Sequence, residues 1–489
     1  MKPQILSVSI LTILLAATFS IASAQKTYPK DISDRIYQVE HNLAGSIRVD
    51  GDPKWTVEDR MTFFNVPGLS IAIVKDYKIE WAKGYGWMDK ARKIPVSTET
   101  LFQAASISKS LNSVGVLALV QKGKINLNED INKYLKSWKF PYDSLSKNKK
   151  ITIYNLLTHT AGLSVHGFPG YAKTSTLPTV VQILDGANPA NTQAVRSEFE
   201  PGLKFQYSGG GTTISQLLVM DATGQPYDKY MKTNVLDPLG MHSSFYTQPP
   251  PADKAQLATG YRPDGKEIEG NFMIHPEAAA AGLWTNPTDL CKYIIETQLA
   301  LQGKSSKVLS RETTKTRLTP FPESGAALGV FIEKHGTEQY FTHGGSNQGF
   351  RCNYIGSMEN GNGVVVMVNS DNGEILNELV NSVATVYQWK DFYNPTIKTI
   401  IAVPDNVLAS YVGEYQIAPQ FSLVITKQGS SLQVEPTGQP RLDLFAEGTN
   451  VFFLKVVDAQ LEFVANTEGK IEKLILHQNG RNMDGKKVK

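Results

Sequence analysis

Cysteine is scarce: the 489 residues include two, Cys291 and Cys352, too few for a thiolate metal cluster or a disulfide scaffold. A surplus of one charge sign is also missing. With 49 Lys+Arg against 46 Asp+Glu the formal charge is +3, and no basic block supplies the footprint of a nucleic-acid binder. The eight histidines show no H-E-x-x-H or comparable ligand spacing, so no metal is expected. No G-x-x-x-x-G-K-[ST] phosphate loop occurs. The G-x-S-x-G elbow fails at Gly344-Gly345-Ser346, because Gln348 stands where its last glycine belongs. Polar low-complexity tracts are absent, and 41% hydrophobic, 9% aromatic and 19% charged residues exclude wholesale disorder. The expected partner is a small molecule or peptide, with no cofactor.

Long hydrophobic runs are limited to one, residues 5–21, preceded by Lys2 and followed by Ala22-Ser23-Ala24 ahead of Gln25. A basic start, an apolar run and a small-x-small site read as a secretory signal peptide over residues 1–24. Ser and Thr interrupt the run and no basic stop-transfer cluster follows it, against a membrane anchor. A periplasmic or secreted protein without a stable membrane anchor is expected. Its oligomeric state cannot be read from the sequence.

Three regions follow a lead-in at residues 25–54. Residues 67–88 read as a hairpin: an apolar run, a charged turn at Lys75-Asp76, then alternation. From about 101 to 240 the period becomes helical, with Leu111, Val114, Leu117, Ala118 and Val120 on a 3.6-residue spacing. Strand patterns return at 327–333, 340–342, 350–355 and 364–369, followed by a helix over about 374–389. The implied fold is α/β (α+β): an antiparallel sheet flanked by helices, built from both ends of residues 55–395, with a helical domain inserted. Residues 400–489 carry short alternating runs separated by Gly, Asn and Asp turns, and read as a separate small antiparallel barrel or sandwich.

Among polar residues, Ser-x-x-Lys offers chemistry, because one helical turn sets a lysine amine beside a serine hydroxyl. The tetrapeptide occurs at Ser23/Lys26, Ser106/Lys109, Ser144/Lys147 and Ser146/Lys149. The first straddles the cleavage site, and the last two lie in a lysine-rich polar stretch. Ser106 alone opens an apolar helix, where backbone N–H groups and the helix dipole favour an oxyanion. Its bland alternative is an N-cap serine.

Ala104-Ala105-Ser106-Ile107-Ser108-Lys109, the stretch from Ile151 through Thr158-His159-Thr160-Ala161-Gly162-Leu163, and Glu200-Pro201-Gly202 through Tyr207-Ser208-Gly209 resemble the serine β-lactamase-like family. Ala278-Ala279-Ala280-Ala281-Gly282-Leu283-Trp284 and Phe341-Thr342-His343-Gly344-Gly345-Ser346-Asn347 continue the likeness in the same order, over about residues 55–390. That family includes class C β-lactamases, DD-peptidases, D-aminopeptidases and esterases. The resemblance implies a β-lactamase/transpeptidase-like fold, with Ser106 as acylated nucleophile, Lys109 as its activating amine and Tyr207 as a proton shuttle coupled to Lys109. It also implies an oxyanion hole from the backbone N–H groups of Ser106 and Ser346. His343-Gly344-Gly345 takes the place of a Lys-Thr-Gly strand, with His343 near the leaving group and Gly344 and Gly345 admitting substrate backbone. Gly209 departs from the pattern, standing where many relatives carry asparagine. His159 reads as a loop-structuring residue.

The reading is a serine hydrolase that cleaves ester or amide bonds of small molecules or peptides through an acyl-enzyme. Two alternatives stay open: a β-lactamase or DD-peptidase, and a non-catalytic sensor of β-lactams or peptidoglycan. Gly209 and His343 both weaken β-lactam recognition. An ordinary histidine near pKa 6.5 would lose its charge between pH 6 and 8 and, with it, any hold on a carboxylate. Cys291 and Cys352 are expected to be buried free thiols.

Overall fold

A computed structural model describes residues 27–439, 441–478 and 480–489; the segment read as a signal peptide, residues 1–24, lies outside them. Among these residues no helix is long and apolar enough to cross a membrane.

Among the described residues the first helix is α1 (Lys30–Glu40), and it is followed by the hairpin β1 (Gly68–Lys75) and β2 (Lys78–Asp89), with β3 (Ile94–Pro95) at the edge. The hairpin turn is Asp76-Tyr77, one residue later than the charge pattern suggested. Both residues have positive φ, 50° and 61°, the handedness that matches the twist of a two-residue hairpin. The inserted region supplies α2 (Ser108–Gln121), α3 (Gly209–Thr223) and α4 (Pro287–Leu301), with only short helices between α2 and α3. The chain then returns as β4 (Phe331–His335), β5 (Glu338–Asn347), β6 (Phe350–Ser357), β7 (Gly363–Val368) and α5 (Glu374–Val386). The strand anticipated from residue 327 starts at Phe331, because Ala327–Val330 form a turn held to α2 by the Ser110 hydroxyl, which donates to the Gly329 carbonyl at 2.9 Å.

The sheet order is β3-β2-β1-β7-β6-β5-β4, every pairing antiparallel, so both ends of the region meet at β1 and β7. Alternation divides its two faces. Leu69, Ile71, Ile73, Val364, Val366 and Val368 pack with Ile36 and Val39 of α1 and Leu379 and Val383 of α5. Ala72, Val74, Val365 and Met367 pack with Leu290 and Ile294 of α4 and with the helical region. Strands buried on both faces read as continuous apolar runs, which is why GLSIAIVK and GVVVMV show no polar alternation.

The tail is a closed barrel of eight antiparallel strands in sequential order, from β8 (Gly413–Ala418) to β15 (Arg481–Lys487). Pairing of Tyr415 with Lys487 closes it, which decides between the barrel and the sandwich. Before the barrel, Thr396–Lys398 pairs in parallel with Ile47–Val49 of the lead-in.

Candidate active site

Ser106 lies in a 3₁₀ turn, Ala105–Ile107, immediately before α2. Ala105 has φ of 46°, a left-handed value that an alanine adopts only when its surroundings impose it. The turn is held on both sides. Ala104 N–H donates to the Leu283 carbonyl at 2.8 Å, and Leu283 N–H donates to the Ser108 hydroxyl at 3.0 Å. The Tyr246 hydroxyl donates to the Ser108 carbonyl at 2.8 Å.

In the first turn of α2, the Lys109 ammonium donates to Ser106 Oγ at 3.0 Å and to the Ala280 carbonyl at 2.8 Å. Lys109 is buried while Ser106 stays partly open. Nζ sits 4.9 Å from the centre of the Tyr207 ring. Behind Tyr207, the His159 ring is tilted against it at 4.3 Å, and His159 Nδ1 accepts from the Ser208 backbone at 3.2 Å. His159 itself has φ of 57°. It therefore fixes the backbone that presents Tyr207. Burial first, then the Lys109 charge, hold its imidazole well below the usual histidine pKa.

The third wall is β5. His343 is buried and its Nδ1 lies 2.7 Å from the Gly344 carbonyl, a contact that calls for a proton on Nδ1 and leaves Nε2 an acceptor. Nε2 has no partner within the protein. Burial, with the Lys109 charge second, lowers the His343 pKa to about 3. This corrects the expectation of a charge change between pH 6 and 8: the imidazole is neutral throughout that interval. Alternate residues Gly344 and Ser346 are exposed, while Gly345 is buried. A Cβ on Gly345 would lie 2.3 Å from the Ala104 carbonyl and 2.4 Å from Cys352 Sγ, so only glycine lets β5 approach the serine turn this closely.

Ser106, Tyr207, His343, Gly344, Gly345 and Ser346 thus line one cavity of about 1070 Å³. Gly209 is the first residue of α3, buried beneath Phe168: a Cβ there would meet the Phe168 ring at 2.8 Å. The space an asparagine would need is filled by an aromatic edge. Arg351, which pairs in register with Ser346 and also lines the cavity, is tied to Asp371 at 2.9 Å. No group of three or more His, Cys, Asp or Glu able to hold a metal occurs among the described residues. Cys291 and Cys352 are buried and unbridged, and burial pushes both thiols far up.

Two features were not legible in the residue types. The Ala280 carbonyl that holds Lys109 belongs to a run of alanines with no side-chain chemistry. His275 and Glu277, just before that run, are both buried without hydrogen-bond partners for their side chains. Their signal is only a charged and a titratable residue beside an alanine run.

The family profile described as Beta-lactamase matches residues 56–383, and a second, described as a domain of unknown function (DUF3471), matches residues 398–487. Protein flp of Staphylococcus aureus (strain N315) is 28% identical over 338 residues, covering 66% of this chain and 63% of that protein. The chain thus spans less than two thirds of the length of this curated relative. Among solved structures, the octameric penicillin-binding protein homologue from Pyrococcus abyssi aligns with a TM-score of 0.62 and 21% identity, over 88% of this chain and 98% of that one. The D-amino acid amidase from Ochrobactrum anthropi SV3 aligns with a TM-score of 0.57 and 22% identity, over 73% and 98%. Both share the fold. With the profile spanning the whole sheet and its inserted helices, from before β1 into α5, the chain belongs to the Beta-lactamase family.

Proposed function

We propose that the chain is an exported serine hydrolase that cleaves ester or amide bonds of small molecules or peptides through an acyl-enzyme on Ser106. The observation that carries this is the 3.0 Å contact between Lys109 Nζ and Ser106 Oγ inside a cavity shared with Tyr207 and the open edge of β5. Once its ammonium has given a proton to solvent, the Lys109 amine takes the serine proton along that contact while Oγ attacks the substrate carbonyl. Tyr207, beside Nζ, passes the proton to the leaving group. The backbone N–H groups of Ser106 and Ser346 receive the oxyanion. His343, neutral and with Nε2 as acceptor, takes a hydrogen bond from a leaving N–H or O–H. Gly344 and Gly345 give the substrate backbone room beside β5. Water then releases the acyl group by the same proton path reversed.

The solved neighbours named for D-amino acid amides and for penicillin binding favour amides and peptides as substrates. A paired Ser and Lys argues against a purely binding sensor, which has no use for an activated nucleophile. Turnover of β-lactams is expected to be slow, because the position of a fixed lysine is taken by a neutral histidine and the neighbouring cation, Arg351, is neutralised by Asp371. Intact-mass analysis after exposure to a fluorophosphonate, a p-nitrophenyl ester, a D-amino-acid amide and nitrocefin tests the reading. The expected result is an adduct mapped to Ser106 and a higher kcat/KM for the ester than for nitrocefin. An adduct on another serine overturns the nucleophile, and faster nitrocefin turnover overturns the substrate class. Sequencing of the mature N-terminus should begin at Gln25 for an exported protein.

A further inference from the structure

The cavity around Ser106 is not closed by the catalytic region alone. Its walls continue past Arg351 and the start of α5 to the barrel, where Leu442, Val456 and Val457 face the same space as the nucleophile. On the catalytic side Phe63, Phe64 and Phe331 complete an apolar lining. Large apolar side chains left in water need a reason when they gather in one place. Phe63 is 63% exposed, Val456 45% and Val457 39%, and all three open into this cavity.

Barrel residues can form such a wall only if the barrel is fixed, and the contacts beside Val456 tie it to the lead-in, whose α1 packs on the sheet. Lys455 pairs with Asp52 of the lead-in at 2.5 Å. Phe453 is buried against Ile47 and Val49. Lys398 reaches Glu447 at 2.7 Å, and Ile401 N–H donates to the Ala446 carbonyl at 2.9 Å. The volume of about 1070 Å³ lies just above the roughly 300–1,000 Å³ typical of pockets for drug-sized ligands. An ester of a few carbons would leave most of it unfilled.

Resting on the serine hydrolase reading above, we propose that the barrel edge at Leu442, Val456 and Val457 is a substrate-binding wall, which selects substrates whose acyl group carries a long apolar arm. Each methylene the wall covers is removed from water, so affinity rises with arm length until the barrel is reached.

Calorimetric binding of octanoate and butanoate, the product acids, to the full chain reads the wall without turnover. Octanoate is expected to bind at least ~10-fold more tightly than butanoate, from four additional methylenes partly covered. The double variant Val456→Asp, Val457→Asp should reduce that preference to below ~3-fold. Val424→Asp, at an exposed barrel position away from the cavity, should leave it intact. Circular dichroism melting checks that both variants fold, and the exposure of all three positions makes this the expected outcome. An absent preference in the wild type, a preference retained in the double variant, or equal loss in Val424→Asp each overturns the proposal. Kinetics on p-nitrophenyl octanoate and butanoate separate it from its parent. Failure to turn over either ester refutes the esterase reading and leaves the binding result standing, whereas turnover with no chain-length preference in binding refutes the wall alone.

Discussion

The catalytic region and the barrel bury their interiors in different ways. Among the described residues from 399 onward the buried side chains are apolar or tyrosine, and the two tyrosines are satisfied: Tyr411 donates to the Thr449 carbonyl at 3.0 Å and Tyr415 to the Tyr411 carbonyl at 2.8 Å. Around Ser106 the reverse holds. Lys109, His159, His275, Glu277 and His343 are all buried, and the last four have side-chain atoms with no partner in the protein. A buried polar group without a partner costs stability, so its accumulation in one region marks where structure serves chemistry. In the barrel core, alternation and burial agree, as in Leu423 and Ile425, Leu432 and Val434, and Leu461 and Phe463. Around the cavity residue type and surroundings conflict, in the left-handed Ala105 as well as in the buried ionisable groups.

The sharpest way to break this contrast is to remove groups from the conflicted region. Ser106→Ala and Lys109→Met should each lower kcat/KM by about 10³-fold or more, with the double variant little worse, because the two act as one unit. Lys109→Met should at the same time keep or raise the melting temperature, since it replaces a buried cation by an apolar chain of similar length. A large loss of stability in this variant would show that the site is built for the fold rather than for catalysis.

In the barrel the opposite pattern is expected. Phe463 is 1% exposed and stacks on Tyr411 at 4.3 Å. Phe463→Ala should cost about 3–5 kcal/mol in urea unfolding of the barrel transition. The catalytic-region transition, followed by ligand-protected proteolysis, should move far less.

Glu277 sharpens the comparison through pH. Burial raises its carboxyl from the ordinary 4.5 to about 7. The folded state therefore holds the proton more tightly than the unfolded chain. Its contribution is complete below about pH 4.5 and is lost as pH rises through 7. Glu277→Gln should accordingly stabilise the protein at pH 8 by an amount on the order of 3 kcal/mol and change little at pH 4.5. The histidines act in the other direction: His275 and His343 are lowered to about 4 and 3, so each costs stability as pH falls below the ordinary 6.5. Melting temperatures of wild type and Glu277→Gln from pH 4.5 to 8 measure both arms. The smallest effect is expected from Gly345→Ala, which pushes β5 away from the Ala104 carbonyl at a cost of about 1–3 kcal/mol and lowers kcat more than it raises KM.

Periodicity and composition make the elements legible where local and tertiary demands coincide. The hairpin, the β6 and β7 strands, α5 and the alternating strands of the tail all follow from pattern, and Ser106 and Lys109 follow from one helical turn of spacing. The inserted region is less legible. Its helical period is real in α2, yet most of residues 122–208 is loop and short helix, held by caps such as Thr152 and Thr179 rather than by an amphipathic stripe. The titration range of His343 is not legible in the sequence, because an ordinary pKa assumes water and this imidazole is buried.

By itself the sequence singled out candidate side chains for the chemistry, set the serine one turn ahead of the lysine, and showed that a sheet domain is followed by a separate set of short alternating strands. Local spacing and residue type suffice for these, because neighbours within a turn or a strand are fixed by backbone geometry. Only the tertiary structure decided that a carbonyl from an alanine run holds Lys109, that Phe168 occupies the space beside Gly209, that burial lowers the His343 pKa, and that the barrel edge shares the cavity of Ser106. Each depends on which distant segments meet and on how much water they exclude, and no local pattern encodes either.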